Sequence, residues 1–108
     1  MQVYSACRII LRPADRSTGH IVEADLTPGT FGGLGWPATT PPGERRVILD
    51  LRYCTGFGAG VAEKISRVLA DAGAGPIQVE SDRRSGMRNA FASQLLESNA
   101  AYEPEARR

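Results

Sequence analysis

Three glycines, Gly56, Gly58 and Gly60, stand where an apolar segment gives way to a helical pattern. The first backbone N–H groups of a helix have no partner within the helix, so they point towards whatever lies in front of it. A phosphate or a partner surface can take that place. The first candidate site is therefore this turn, which consists of Thr55, Gly56, Phe57, Gly58, Ala59 and Gly60.

The same glycines resemble part of a dinucleotide-binding fingerprint, in which a glycine turn follows a strand and opens a helix. Glu80 stands at about the distance at which that fingerprint has its acidic residue, and Arg83 and Arg84 follow where a 2′-phosphate would lie. Val61, however, occupies the place of the third glycine, and the chain is too short for a two-halved nucleotide fold. A nucleotide- or phosphate-binding domain that uses this turn is therefore our second interpretation. We expect the glycines mainly to let helix and strand pack closely.

Residues 83–88 form the densest basic patch of the sequence, and they lie where a last helix is predicted to begin. Cations at a helix N-terminus oppose the helix dipole, so helix stability does not explain Arg83 and Arg84. These two side chains could hold an acidic partner or a phosphate. They could equally lie in a solvated loop, where Glu80 and Asp82 neutralise their charge. Both interpretations stay open.

Hydrolytic and metal chemistry have few candidate residues. His20 is the single histidine, so a dyad with Cys54 is the one nucleophile arrangement available, and it would need two distant loops to meet. One histidine without Cys-x-x-Cys spacing does not make a zinc site. We expect Cys7 and Cys54 to be buried strand residues that stay reduced, and we expect no enzyme activity, no metal and no cofactor.

Asp50 is a carboxylate at the predicted end of a central strand. Such a group can bind a ligand at the carboxyl edge of a sheet. It can also accept hydrogen bonds from the N–H groups of the glycine turn. We favour the second role.

Two strands are predicted in the N-terminal part of the chain. Residues 3–11 and 20–26 have strand-like apolar content, and turn-forming residues fill the gap at 13–19. The gap is short enough for a hairpin. We therefore predict that these two strands pair antiparallel.

The remaining pattern predicts one βαβ unit and a closing helix. Residues 46–51 are almost continuously apolar, and residues 61–72 carry an apolar helical stripe that Gly73 can cap. Residues 76–80 then return as a strand that a right-handed crossover would lay parallel to the first. A last helix buries Met87, Ala90, Phe91 and Leu95. The predicted fold class is α/β, with a mixed four-stranded sheet made of the hairpin and the βαβ unit, and two main helices.

Residues 27–44 contain four prolines and five glycines, which rules out a regular helix or a central strand. A loop of this length in a compact domain is often either a binding segment or poorly ordered. Phe31, Leu34 and Trp36 either pack back against the sheet or form an exposed contact surface. We favour packing back. The polar residues 102–108 are predicted to be a frayed tail.

Length and charge limit the classes of protein. A chain of 108 residues fits a single domain, residues 1–108. The formal net charge of +1 provides no field that would attract nucleic acid or an anionic membrane. No apolar window reaches the length of a membrane span, and the N-terminus lacks a signal-peptide pattern. We expect a cytosolic protein.

The order of elements is similar to that of the STAS domain, the fold of sulphate transporters and anti-sigma-factor antagonists. STAS domains and their small bacterial relatives carry an Asp-Leu pair at the end of the central strand, as Asp50 and Leu51 do here. They then have a small-residue turn and an amphipathic helix, which match residues 56–61. The resemblance covers residues 45–97 and implies a non-catalytic regulatory module. Its partner would be a kinase-like or sigma-regulatory protein that contacts the turn and the following helix.

The sequence departs from the STAS pattern at two places. Residues 27–44 replace a helix that the family has before its central strand. Regulated members present a Ser or Thr in the turn for phosphorylation, where this chain has Gly58, Ala59 and Gly60. Thr55 is the one nearby hydroxyl. The loop of Trp36 and the edge of the predicted hairpin offer surfaces for a homodimer.

Overall fold

The computed structural model describes residues 6–81 and 87–97 and contains two sheets and two α-helices. The main sheet has the order β1-β3-β5 and is parallel throughout, and a small second sheet pairs β2 with β4, also in parallel. The elements in chain order are β1 (Ala6–Ile10), β2 (His20–Ile21), β3 (Arg46–Asp50), β4 (Gly56–Phe57), α1 (Val61–Asp71), β5 (Ile77–Glu80) and α2 (Met87–Glu97).

One face of the main sheet carries the core. Paired residues of parallel strands point to the same face, and side chains alternate along each strand. The register therefore places on one face a buried apolar set that packs with α1, α2 and the small sheet. Its strand members are Ile9, Val47, Leu49, Ile77 and Val79. The alternate positions include Arg8, Ile48 and Gln78, which are exposed or half-buried.

The predicted antiparallel hairpin is wrong, and with it the mixed four-stranded sheet. β1 pairs with β3 in parallel, with Ala6 opposite Arg46 and Ile10 opposite Asp50. β2 does not contact β1 as a ladder partner but pairs with β4. The apolar alternation that indicated strands says nothing about their direction, and a turn-rich connection suits a crossing segment as well as a hairpin.

The second predicted strand is also much shorter than residues 20–26. Residues Glu23–Asp25 form a 3₁₀ turn, and the N–H of Val22 donates to the Asp25 carboxylate at 3.0 Å. That N–H is therefore not available to a neighbouring strand. Ile21 is buried in the core, so the short β2 is held by its apolar side chain and by the two residues of β4.

The predicted βαβ unit is confirmed. β5 pairs with β3 in parallel, and α1 connects them. The helix ends as its sequence predicted, because Gly73 has φ +80° and donates its N–H to the carbonyl of Ala70, while Ala74 donates to Leu69. This pair of bonds is a Schellman motif, which needs a left-handed residue after the helix.

The closing helix, α2, also covers the core. In α2, Phe91 and Leu95 are buried as predicted, whereas Ala90 is exposed and Ala92 is buried instead. Phe91 meets Phe57 of β4 edge to face, with ring centroids 5.0 Å apart. This contact joins the small sheet to α2.

The loop at residues 27–44 packs back onto the core, as predicted. Phe31, Leu34 and Trp36 are half-buried against the core cluster, and the Trp36 indole N–H donates to the Arg46 carbonyl at 3.2 Å. Two short 3₁₀ turns, Pro28–Phe31 and Pro42–Glu44, satisfy part of its backbone. The loop therefore belongs to the folded unit.

This packing predicts a single unfolding transition. Trp36 is the one tryptophan, so its fluorescence reports on the loop, while far-UV circular dichroism reports on helices and strands. We expect the two urea-unfolding curves to coincide, because a loop that packs on the core unfolds together with it. A fluorescence transition that comes at lower urea than the dichroism transition would contradict this.

Candidate functional site

The glycine turn is hydrogen-bonded to segment 19–22 on one side. The N–H of Thr55 donates to the Gly19 carbonyl at 2.8 Å, and the N–H of Gly58 donates to the Ile21 carbonyl at 2.8 Å. The imidazole of His20 lies over Gly56, where a β-carbon would overlap the ring. These contacts make residues 56–57 a strand, β4, within the segment that was predicted to be a turn.

A carboxylate stands beside the N-terminus of α1. Gly60 precedes the helix with φ +83°, and a β-carbon there would lie 2.9 Å from Glu23 Oε1. Glu63 adds a second acidic side chain in the first helical turn. Negative charge at this end complements the helix dipole, and it repels an incoming phosphate. The protein therefore supplies its own anion where the second interpretation placed a phosphate.

An exposed apolar side chain adjoins the turn. Val22 is 42% exposed, and its Cγ1 lies 3.4 Å from the position of a β-carbon on Gly58. Ala59 is exposed and Phe57 is half-buried. We call residues 56–60 with Val22 and Glu23 the turn surface. It combines a patch of small and apolar groups with a carboxylate.

Asp50 does not accept hydrogen bonds from the glycine turn, so the role we favoured for it is wrong. Its buried carboxylate accepts from the backbone N–H of Arg52 at 3.0 Å and from the Arg52 guanidinium at 2.6 Å. Arg8 Nη1 reaches the same carboxylate at 2.9 Å and Glu80 at 2.7 Å. Burial opposes ionisation of Asp50, but the bonds from Arg52 and Arg8 outweigh it and keep its pKa below the usual range.

The proposed dyad of Cys54 and His20 is not formed. The Cys54 thiol is buried and donates to the Leu11 carbonyl at 3.4 Å. Burial, followed by the nearby charges of Asp25 and Asp50, raises the pKa of Cys54 to about 11, so little thiolate exists near neutral pH. Within residues 6–81 and 87–97 no three His, Cys, Asp or Glu side chains are grouped as metal ligands would be.

The other residues predicted for the site do not gather at the turn. Trp36 is bonded to the first residue of β3, while the turn follows the last, so the two lie towards opposite ends of that strand. The Thr55 hydroxyl donates to the Thr18 carbonyl at 2.6 Å and thus has a structural role. Arg83, Arg84 and the predicted tail at 102–108 lie outside the described residues, as does the side chain of Met87, whose burial was predicted.

A pocket at the carboxyl edge of the main sheet was not predicted from the sequence. This edge pocket is lined by Arg12, Pro13, Arg16 and Tyr53 and has a volume of about 360 Å³. Arg12 follows β1 and Tyr53 follows β3, so only the parallel pairing of these strands brings them to one edge. The sequence does place a polar residue shortly after each of these strands, which is a signal for a ligand site at the carboxyl edge of a parallel sheet. The predicted hairpin did not bring Arg12 and Tyr53 to the same edge.

Comparison with known proteins gives no assignment: no family model, no curated protein and no solved structure matches this chain. The STAS resemblance of residues 45–97 stays a prediction from sequence. Neither α1 nor α2 is long and apolar enough to cross a membrane.

The left-handed Gly60 predicts a cost for any side chain at this position. Gly60→Ala should lower the free energy of unfolding by about 1–2 kcal/mol, because a β-carbon is strained at this φ and approaches Glu23. Gly33→Ala is the matched control, since a β-carbon there meets no atom within 4 Å. Urea denaturation measures both variants. Equal stability of the two would contradict the strain at Gly60.

The arginine contacts of Asp50 predict both a stability loss and a pH dependence. Asp50→Asn should lower the free energy of unfolding by about 1–3 kcal/mol at pH 7, since its arginines lose a charged acceptor. The folded-state pKa of Asp50 is lowered, so its contribution is complete above the unfolded value of about 3.9. It disappears as the pH falls from there through the folded value.

The difference in the free energy of unfolding between wild type and Asp50→Asn should therefore become smaller in acid. Urea denaturation at pH 7 and near pH 3 measures it. Glu63→Gln, which removes an exposed carboxylate paired with Arg67, should change the free energy of unfolding by less than about 0.5 kcal/mol. If this difference in the free energy of unfolding does not depend on pH, the charge of Asp50 does not contribute to stability.

Proposed function

We propose that the chain is a non-catalytic interaction module that binds a protein partner through the turn surface. The observation that carries this proposal is the exposure of Val22 directly against the glycine turn. An apolar side chain next to accessible backbone lets a partner approach closely and cover it. The turn is anchored to the rest of the protein, because the N–H groups of Thr55 and Gly58 donate to segment 19–22.

The electrostatics of the turn favour a protein partner over a phosphate. Glu23 and Glu63 place negative charge at the start of α1, and Asp25 lies close by in the 3₁₀ turn. Coulomb repulsion at such short range disfavours a phosphate. A partner with basic side chains around an apolar contact for Val22 would be complementary in both charge and shape.

The nucleophile candidates also support a binding role. Cys54 is buried with a raised pKa, and the Thr55 hydroxyl is engaged with Thr18. His20 covers Gly56 instead of activating either group. The described residues therefore offer no activated nucleophile at the turn.

Affinity capture from an extract of the source cells tests this proposal with variants that differ at the turn surface. Val22→Glu adds charge to the apolar contact, and Gly58→Asp adds a charged side chain where space exists. Each should weaken retention of a specific protein about tenfold, equivalent to about 1.4 kcal/mol. Ala70→Glu is the control, because it adds the same charge at an exposed position near the other end of α1. It should leave retention unchanged.

Two results would overturn the proposal. One is that no protein is retained specifically, and the other is that retention is the same in all three variants. The melting temperature measured with ATP, GTP, NAD, NADP or phosphate tests the second interpretation, a nucleotide- or phosphate-binding domain. A selective shift that Gly58→Asp abolishes would indicate a nucleotide or phosphate site at the turn instead.

A further inference from the structure

We propose that the edge pocket binds a small phosphate-bearing ligand, with Arg12 and Arg16 as the cations that hold the phosphate. This site is separate from the turn surface, and the inference does not rest on the proposed function. It depends on the position of the pocket, its unpaired charge, the ordering of Arg12 and the size of the cavity.

The position is one at which α/β sheets bind ligands. Ile10 of β1 lies opposite Asp50 of β3, and the N–H of Leu11 continues the ladder by donating to the Asp50 carbonyl at 3.1 Å. Both strands therefore end at the same edge. Arg12 comes shortly after the end of β1 and Tyr53 shortly after the end of β3. The region beyond the carboxyl ends of parallel strands is where ligands are generally found in open sheets.

The arginines near this edge divide into two pairs. Arg8 and Arg52 are committed to the carboxylates of Asp50 and Glu80. Arg12 and Arg16, by contrast, form no ion pair with a carboxylate in the part of the chain that the structure describes.

The neighbouring acid does not neutralise the pocket's arginines by direct contact. Asp15 Oδ1 accepts from the hydroxyl of Ser17 at 2.6 Å and from its N–H at 3.0 Å. The carboxylate is thus used to form the turn. The pocket keeps two guanidinium groups whose N–H donors can turn to an anion.

One of these cations is held in place before any ligand arrives. The Arg12 guanidinium carbon lies 4.5 Å from the centroid of the Tyr53 ring, and that of Arg52 lies 5.8 Å from the same centroid. Arg52 is itself fixed by Asp50. A guanidinium held over the face of a ring keeps N–H donors available for phosphate oxygens. Because its conformational freedom is already restricted, binding of a ligand costs less entropy.

The size of the cavity fits a small molecule. A volume of about 360 Å³ lies at the lower end of the range for ligand pockets, which is about 300–1,000 Å³. Pro13 and Tyr53 provide apolar wall beside the two arginines. The ligand class is therefore a free phosphate or a small phosphate ester, rather than a polymer.

Isothermal titration at constant ionic strength tests the inference with three probes: inorganic phosphate, glycerol 3-phosphate and AMP. We expect saturable binding of at least one probe at millimolar concentration or below. Arg12→Gln and Arg16→Gln should each weaken that binding by about tenfold or more. Arg67→Gln removes the same charge from an exposed arginine on α1 and should leave the dissociation constant unchanged.

The probes also distinguish the source of the phosphate. Equal affinity for inorganic phosphate and for the esters would assign the site to the free ion, and tighter binding of an ester would assign it to an organic phosphate. Both results support the inference.

Amide and Arg side-chain NMR locates the site. We expect the probe to shift resonances of Arg12, Arg16 and Tyr53 and not those of residues 56–60. No saturable binding, an equal loss in Arg67→Gln, or shifts confined to the glycine turn would overturn the inference. Melting temperatures of the variants within a few degrees of wild type would show that they are folded, as expected for exposed side chains.

Discussion

Arg8 connects all three strands of the main sheet through charged contacts on one face. From β1 it reaches the buried carboxylate of Asp50 on β3 and the half-exposed carboxylate of Glu80 on β5, and Arg52 completes the series on the other side of Asp50. A buried carboxylate is costly unless its oxygens are saturated with donors, and here they are. The register that aligns the carboxyl ends of the strands is the register in which this series can form.

The same alignment separates two surfaces with different chemistry. The main sheet presents arginines and a tyrosine beyond its carboxyl edge, whereas the turn that leads into α1 presents glycines, a valine and carboxylates. Asp50 contributes to this separation because it binds Arg52, which in turn lies near the Tyr53 ring. At the start of α1, the nearby Glu23 carboxylate supplies negative charge, which disfavours a bound anion there.

The central part of the fold could be predicted because its signals are local. An apolar run, a helical stripe and a glycine after the helix predicted β3, α1 and β5, and the Schellman bonds of Gly73 and Ala74 confirm that reading. Strand direction could not be predicted for β1, since alternation has no polarity. The partner of β1 is decided by contacts such as Arg8 with Asp50, which are distant in sequence.

The candidate site was predicted only in part for the same reason. The sequence identified the turn of residues 56–60, but its N–H partners come from segment 19–22, and Glu23 arrives with them. The edge pocket needs Arg12 beside Tyr53, which only the parallel register provides. Tertiary pairing, and not local propensity, therefore decides the chemistry at both places.

The absence of hairpins among the described strands has a consequence for how the chain folds. Each ladder joins residues roughly thirty to forty positions apart, so every strand pairing must close a long loop before it gains any hydrogen bond. The two helices, α1 with its glycine cap and α2, are the main elements that can form from nearby residues alone. Proteins with such distant pairings fold slowly for their size, and their unpaired strands stay exposed during that time. A refolding rate measured by stopped flow, and its sensitivity to protein concentration, would show how far this topology exposes the chain to aggregation.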